Sequence, residues 1–181
     1  MVIRKDWLDE LGLEIPRTPA EFYDVMKAFQ EADPAGDGNT VPLAAGQTMQ
    51  RMEGLAAGFG VTVPYAERDG EVVYTYVEPE AKAFLEYART LYAEGLINED
   101  YPVITSTDPL DELFASGFAG MTTLYWWDAQ WLFPWLESNV SDAELLFIPP
   151  AVSDDGLTGL AARPPTEAML VVSRFSDDVG A

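Results

Sequence analysis

The chain has 181 residues, with 31 acidic against 10 basic side chains and a formal net charge of -21. A field of that sign repels nucleic-acid phosphates and anionic membrane surfaces, whereas a hydrophobic content of 48% is typical of a folded domain. Because cysteine and histidine are both absent, disulfides, thiolate metal sites and histidine-based catalysis are excluded.

The first predicted helix spans about residues 19–32. Thr18 can cap this helix, Pro19 suits its first position, and Glu21 completes a Thr-x-x-Glu capping box. Apolar residues recur at three- and four-residue spacing and predict one face packed on a core, formed by Phe22, Val25, Met26 and Phe29.

A second helix is predicted over residues 47–59, after a strand that ends at 43–45. Further along, a turn at 69–70 leads into a strand over 72–77, and its apolar residues on both sides indicate that both faces are covered.

The strongest helical pattern covers residues 79–94 and ends at Gly95. Its predicted inner side consists of Ala83, Phe84, Tyr87, Leu91 and Tyr92. A short helix follows with Asp108 as N-cap and Gly117 as its stop, and "FAGMTTLY" after it is a predicted strand. "AELLFIPP" and "EAMLVVS" also suit buried strands. Because helices and strands interleave, we predict an α/β fold with helices on both faces of one sheet.

Residues 3–38, "IRKDWLDELGLEIPRTPAEFYDVMKAFQEADPAGDG", resemble bacterial extracellular solute-binding proteins of family 1, the carbohydrate-type components of ABC importers. Later segments resemble the same family in order: "DGEVVYTYVEPEAKAFLEYARTLYAEGLINED", "LFASGFAGMTTLYWW" and "LLFIPPAVSDDG". The resemblance extends over about residues 3–178. It implies an α/β, periplasmic-binding-protein-like lobe with a central mixed or mostly parallel sheet flanked by helices.

Proteins of this family have two lobes joined by a hinge, and residues 1–181 resemble only the middle of such a chain. The resemblance therefore implies a single second lobe, without the N- and C-terminal segments of a parent protein. It implies an extracellular, cell-surface lipoprotein that binds an oligosaccharide or related small solute and delivers it to an ABC permease. The lipid anchor is expected outside this segment, and neither a cofactor nor nucleic acid is expected.

Four of the five tryptophans lie in "LYWWDAQWLFPW", residues 124–135. Trp126 and Trp127 come where the predicted strand ends, and open α/β sheets place their sites at the carboxyl ends of strands. In the maltose-binding branch of the family, an aromatic about six residues beyond the methionine of this strand stacks on sugar, and Trp127 lies six beyond Met121. The resemblance thus implies a ligand platform of Trp127, Trp126 and Tyr125, with core packing as the alternative.

Two other tryptophans fit a different pattern. Trp131 and Trp135 share one helical face with Trp127, at the four-residue spacing that is typical of a core stripe. We therefore expect these two rings to pack against the sheet and to support the platform.

A second group of candidate ligand residues lies in "AAGQTMQRM". Here the end of a strand leads through a glycine into the predicted N-terminus of a helix, at the same edge of the sheet. Four side chains there can supply hydrogen bonds to sugar hydroxyls: Gln47, Thr48, Gln50 and Arg51. The alternative is that they are ordinary capping and solvated helix residues.

"DPAGDGNTVPL" has the Asp-x-x-x-Asp-Gly core of a calcium loop, and the alginate-binding branch of the family carries calcium there. Ala35 replaces one oxygen ligand, which leaves Asp33, Asp37 and Asn39. Three side chains are too few to assemble the 6–8 oxygens that calcium takes, so we expect a plain turn without metal.

Two other classes of function stay open on the sequence alone. A glycosidase could use a carboxylate pair beside the tryptophans, with Asp128 or Glu137 as candidates. Such pairs arise by chance among 31 acidic residues, so we do not expect an enzyme. A protein-interaction module is the other alternative.

Overall fold

The computed structural model describes residues 1–62, 64–68, 70–153, 155–156 and 158. Its elements follow in chain order as β1 (Val2–Arg4), α1 (Lys5–Leu11), α2 (Pro19–Ala32), β2 (Val41–Leu43), α3 (Glu53–Ala56), β3 (Tyr65–Arg68), β4 (Glu71–Tyr74), α4 (Pro79–Ala93), α5 (Asp108–Ala115), β5 (Ala119–Thr122), α6 (Ala129–Asn139) and β6 (Leu145–Phe147). Over these residues, none of the helices is both long and apolar enough to cross a bilayer.

Within the described residues, four strands form a mixed sheet in the order β2–β5–β1–β6. β2 and β5 are parallel, whereas β1 is antiparallel to both β5 and β6. The predicted mixed sheet is therefore confirmed, although two of the three pairings are antiparallel. This topology brings the last residues of β2, β5 and β6 and the first residue of β1 to one edge of the sheet, here called the carboxyl edge.

Both faces of the sheet are covered by helices, as predicted. Val2 and Ile3 are consecutive strand residues and so point to opposite faces. Ile3 packs in a cluster with side chains of α1, α2 and α4, and Val2 packs in a second cluster with side chains of α5 and α6. Gly120 allows α2 to approach the sheet closely, because a Cβ atom there would lie 2.5 Å from the ring of Phe29.

The sequence prediction is most accurate for α2, whose start is determined locally. The Thr18 side chain accepts a hydrogen bond from the Glu21 backbone N–H, and the Glu21 carboxylate accepts one from the Thr18 N–H. This is the predicted capping box, and the predicted inner residues are buried: Phe22, Val25, Met26 and Phe29.

The predicted helix over residues 47–59 is wrong as a continuous element. It is divided into a 3-10 turn (Gln47–Met49), the short α3, and a second 3-10 turn (Ala57–Phe59). The backbone of Thr48, Met49 and Arg51 has positive φ, which no α-helix accommodates. Arg51 is held in this position by tertiary contacts that are described below.

Helix α4 forms where predicted, but its inner face is rotated from the expected one. Phe84 and Leu91 are buried and Tyr87 partly so, whereas Ala83 and Tyr92 are exposed and were wrongly assigned to the core. The buried positions Ala81, Phe84, Ala88 and Leu91 keep a 3-4-3 spacing in which two alanines let the helix approach its neighbours closely.

The prediction of a strand covered on both faces over 72–77 is also wrong. β3 and β4 form a two-stranded antiparallel hairpin with solvent-exposed residues, and Thr75–Val77 is a 3-10 turn. Gly70 has the positive φ expected of the tight turn, while Asp69 lies outside the described residues.

The short helix and the strands that follow it form largely as predicted. In α5, Thr107 and not Asp108 occupies the N-cap position, and no side-chain capping bond forms there. The strand predicted in "FAGMTTLY" forms as β5 and is buried. A strand forms in "AELLFIPP" as β6, but the prediction that it is buried is wrong, because Leu145 and Leu146 are only partly buried and Phe147 is exposed. The strand predicted in "EAMLVVS" lies outside the described residues.

Candidate functional site

The aromatic loop, residues 123–128, leaves β5 at the carboxyl edge. The rings of Tyr125 and Trp127 are stacked, with centroids 4.8 Å apart and planes at 17°, and Trp126 meets Trp127 edge to face at 5.7 Å. Trp126 is 75% exposed and Trp127 37% exposed. Because these rings lie outside the core, the core-packing alternative for them is wrong.

Trp131 and Trp135 are not core residues either, which corrects the expectation from the sequence. They lie on α6 with ring centroids 6.2 Å apart and are 42% and 39% exposed. The buried face of α6 contains Leu132 and Leu136, which share the same four-residue spacing one position further along. Spacing alone therefore does not show whether the tryptophan pair or the leucine pair forms the buried face of α6.

The turn after β2 lies beside the aromatic loop at the carboxyl edge. The Ala44 N–H donates to the Met121 carbonyl at 3.1 Å, and the Thr122 hydroxyl lies 3.4 Å from the Ala44 carbonyl. This contact brings residues 44–51, called the polar turn below, next to residues 123–128. The predicted ligand residues of both segments therefore share one edge of the sheet.

Gln47 and Thr48 lie on the exposed surface of the polar turn. The Gln47 backbone N–H donates to the Ile104 carbonyl at 2.9 Å, which fixes the start of the turn while its side chain stays exposed. Thr48 has φ +60°, an unfavourable conformation for a β-branched residue. Local strain of this kind persists only where the surroundings hold the backbone in place, and it clusters at functional sites.

Arg51 is buried beneath the aromatic loop, with 2% of the residue exposed. Its Nη2 lies 2.6 Å from Asp111 Oδ1, and its Nη1 lies 2.6 Å from Asp128 Oδ2. Nη1 also donates to the Thr123 carbonyl at 2.9 Å. The prediction that Arg51 contacts a ligand directly does not agree with this burial, because the guanidinium is already engaged with protein oxygens.

Arg51, Asp111 and Asp128 form a buried unit, here called the arginine cluster. Asp128 Oδ2 also accepts the Tyr125 backbone N–H at 3.1 Å, so the cluster ties the polar turn to α5 and to the aromatic loop. Burial raises the pKa of Asp111 to about 6, an effect that Arg51 opposes and the nearby Asp128 carboxylate reinforces. With all three groups ionised, the cluster carries one net negative charge.

The carboxylates proposed for a glycosidase do not form a free pair. The Asp128 carboxylate, which would transfer protons in a glycosidase, is already bound to Arg51 and to the Tyr125 N–H. Glu137 is exposed on α6. The roles of Asp111 and Asp128 as partners of Arg51 are not predictable from sequence, because they lie 60 and 77 residues from it.

The loop that resembles a calcium site lies at the opposite edge of the sheet. The Asp33 carboxylate accepts the backbone N–H groups of Gly38 at 2.7 Å and Thr40 at 3.2 Å, and these bonds hold the pKa of Asp33 below its usual value. Among the described residues, no group of three or more carboxylate, histidine or cysteine side chains is arranged to hold a metal. A plain turn without calcium stays a prediction.

Residues 1–172 match the sequence profile of the bacterial extracellular solute-binding proteins. The chain belongs to this family. Among its relatives, LipO, a lipoprotein of Bacillus subtilis, is 36% identical over 115 residues, which are 59% of this chain and 22% of LipO. The polygalacturonan/rhamnogalacturonan-binding protein YtcQ of Bacillus subtilis is 34% identical over 125 residues, which are 67% of this chain and 25% of YtcQ.

The fold of this solute-binding protein chain agrees with solved structures. The Streptococcus pneumoniae ABC-transporter substrate-binding protein FusA, solved with kestose, superposes with a TM-score of 0.68 at 24% identity. The match covers 88% of this chain and 32% of FusA. The chain thus has the fold expected of a periplasmic-binding-protein lobe, and it spans about a quarter of the length of LipO and YtcQ.

Proposed function

We propose that the chain is the second lobe of a two-lobed solute-binding protein that captures an oligosaccharide and delivers it to an ABC permease. The observation that carries this proposal is the exposed platform of Tyr125, Trp126 and Trp127 at the carboxyl edge. An indole ring covers the apolar C–H face of a pyranose, and the neighbouring polar turn provides side chains that can hydrogen-bond to hydroxyls.

In this proposal the residues at the edge have separate tasks. Trp127, Trp126 and Tyr125 stack on the sugar, while Gln47 and Thr48 hydrogen-bond to its hydroxyls. Arg51 keeps the aromatic loop in place from below through Thr123 and Asp128. The site binds without catalysis in this proposal, because Asp128, the carboxylate considered for proton transfer, is already bound to Arg51 and to the Tyr125 N–H. Hinge closure over the ligand presents the complete protein to its permease.

The relatives support this proposal through what they bind. YtcQ is named for binding polygalacturonan and rhamnogalacturonan, and FusA was solved with kestose. LipO is named a lipoprotein, which supports an extracellular, cell-surface location for the complete protein. We expect neither a cofactor nor a metal to take part.

The test is calorimetry on the full-length protein with a panel of neutral and acidic oligosaccharides of two to six units. We expect at least one glycan to bind and to be recovered chemically unchanged. If no glycan binds, or if the glycan is hydrolysed, the proposed function is wrong. A matched panel of di- to pentapeptides tests the alternative that a different solute is carried.

A further inference from the structure

A cavity of about 560 Å³ lies beside β2, the terminal strand of the central sheet. Its walls come from the end of α2 and the loop after it, from the segment that follows α4, and from α5 and the residue before β5. None of its described lining residues belongs to the aromatic loop or to the polar turn. Sites for small molecules measure about 300–1,000 Å³, so this cavity is large enough for a small solute of its own.

Two helices end at this cavity. Asp33 is the C-cap of α2, Gly95 follows the end of α4, and both residues line the cavity. Gln30 joins the two helix ends, because its Nε2 donates to the Glu94 carbonyl at 2.8 Å and to the Gly95 carbonyl at 3.2 Å. The C-terminal end of an α-helix carries a partial negative charge. α2 and α4 therefore both place their negative ends beside the cavity.

Two carboxylates add full negative charges to the lining, those of Asp33 and Glu99. The backbone hydrogen bonds described above hold the pKa of Asp33 below its usual value, so this carboxylate stays ionised. Within the described part of the chain, neither carboxylate forms an ion pair and no basic side chain lines the cavity. Lys27 is bound instead to Gln30 Oε1 and to Glu94. The cavity therefore attracts a positive charge.

Phe118 supplies an exposed aromatic ring to the same cavity. The residue is 38% exposed, although it directly precedes the buried strand β5. Its carbonyl accepts the Val41 N–H at 2.9 Å and its N–H donates to the Leu113 carbonyl at 3.3 Å, which fixes its backbone. The face of an aromatic ring attracts ammonium and guanidinium groups. The cavity thus combines apolar surface from these three residues with the charge of Asp33 and Glu99.

This combination discriminates between classes of ligand. An anion is repelled by both helix ends and by both carboxylates. A calcium ion takes 6–8 oxygen ligands, whereas the described residues contain no group of three or more carboxylate, histidine or cysteine side chains arranged for a metal. An organic cation has a charged group for the carboxylates and a hydrocarbon part for the apolar surface.

We propose that this cavity binds a small organic cation, a primary ammonium or guanidinium group on a short hydrocarbon chain. Asp33 and Glu99 bind the charged group, and Phe118 packs against it with the face of its ring. This site goes beyond the proposed function, because its ligand differs from the oligosaccharide expected at the carboxyl edge. The same charged group occurs free in diamines and in the lysine side chains of peptides, so the experiment separates these two sources.

The test is calorimetry on the full-length protein in about 0.15 M salt, which screens general attraction to the acidic surface. The probes are diaminopentane, the tripeptide Gly-Lys-Gly, uncharged pentanediol and calcium chloride. We expect diaminopentane or the tripeptide to bind and pentanediol not to bind. Glu99→Gln and Phe118→Leu should each weaken cation binding roughly fivefold. Glu137→Gln removes an exposed carboxylate from α6 and should leave cation binding unchanged.

The outcomes are distinct for each part of the proposal. Tighter binding of diaminopentane than of the tripeptide supports a free solute, and the reverse order supports a lysine side chain. A loss for Glu137→Gln as large as that for Glu99→Gln shows general attraction to the surface and overturns the site. Displacement of diaminopentane by an equal concentration of calcium overturns the assignment of an organic cation, as does equally tight binding of pentanediol.

The same variants separate this site from the proposed function. Glu99→Gln and Phe118→Leu should leave glycan binding unchanged, because both residues lie outside the aromatic loop and the polar turn. Glycan binding without any binding of diaminopentane or the tripeptide overturns the cation site and leaves the proposed function intact. Cation binding without glycan binding has the opposite meaning.

Discussion

The guanidinium of Arg51 and the carboxylate of Asp128 meet 2.6 Å apart beneath the aromatic loop, and each is also bound to the backbone of that loop. Arg51 donates to the Thr123 carbonyl and Asp128 accepts the Tyr125 N–H, so both ends of a three-residue segment are fixed from below. The exposed rings therefore depend on a buried ion pair for their position. Several properties of the chain should depend on this pair.

Replacing Arg51 with Met should destabilise the 181-residue chain by about 3–5 kcal/mol, since it leaves two buried carboxylates without a cation. Urea unfolding followed by circular dichroism measures the change. The triple variant Arg51→Met, Asp111→Asn, Asp128→Asn should recover part of the loss because the buried charges are gone. A loss below about 1 kcal/mol in the single variant would show that the cluster contributes little.

Stability should also respond to pH through Asp111. The pKa of Asp111 is raised from the ordinary aspartate value of 3.8 to about 6 in the folded chain. The folded chain therefore binds a proton at Asp111 more tightly than the unfolded chain does. As pH falls from about 6 to about 4, the unfolding free energy of the wild type should therefore rise relative to Asp111→Asn, by on the order of 2 kcal/mol. Above pH 7 the difference between the two proteins should be constant.

Parallel urea titrations of both proteins at half-unit pH steps measure this difference, in which the contributions of carboxylates remote from the arginine cluster cancel. Glu112→Gln, at an exposed position of the same helix, is the matched control. A flat difference for Asp111→Asn between pH 4 and 6 would contradict the raised pKa.

Trp127 and Trp131 offer a matched comparison, because they are similarly exposed, at 37% and 42%, on neighbouring segments. We expect Trp127→Ala to weaken glycan binding by the full-length protein roughly tenfold or more, since it removes a stacking face and the partner of Tyr125. Trp131→Ala should change the affinity less than about twofold. Calorimetry with one glycan measures both, and equal losses would place the ligand on α6 as well.

Thr48→Gly tests whether strain is stored in the polar turn. Glycine adopts positive φ without steric cost, whereas other residues pay roughly 1–2 kcal/mol there, so the variant should be more stable by about 1 kcal/mol. The same change removes a hydroxyl from the proposed site and should weaken glycan binding. Thermal unfolding measures the first effect, and Thr105→Gly is a control without positive φ. Lower stability of Thr48→Gly would mean that the turn is not strained.

The elements that sequence predicted best are those determined by neighbouring residues. The capping box of Thr18 and Glu21 fixes the start of α2 through contacts three residues apart. The helix predicted over 47–59 is interrupted because Arg51 takes its conformation from carboxylates that are remote in the chain. A helical pattern describes only local preference, and the buried ion pairs override it.

The candidate site was predictable in its position but not in its internal arrangement. The carboxyl ends of β2 and β5 meet at one edge whatever the details of the loops, which located the aromatic loop and the polar turn correctly. Thr48 is exposed and Arg51 is buried, although they lie three residues apart. Which of the two can reach a ligand depends on tertiary contacts that local sequence does not reveal. Likewise, nothing in the spacing of Trp131 and Trp135 shows that the sheet lies against Leu132 and Leu136.

Several strand ends meet at the carboxyl edge, so the loops that follow them can change in sequence without altering the sheet. The surface there is assembled from segments near residues 48 and 126, and neither of them contributes to the hydrogen-bond register of the central sheet. Insertions or exchanges in one segment can alter which solute is accepted while the scaffold stays the same. Under the proposed function, solute recognition by this chain can therefore evolve one segment at a time.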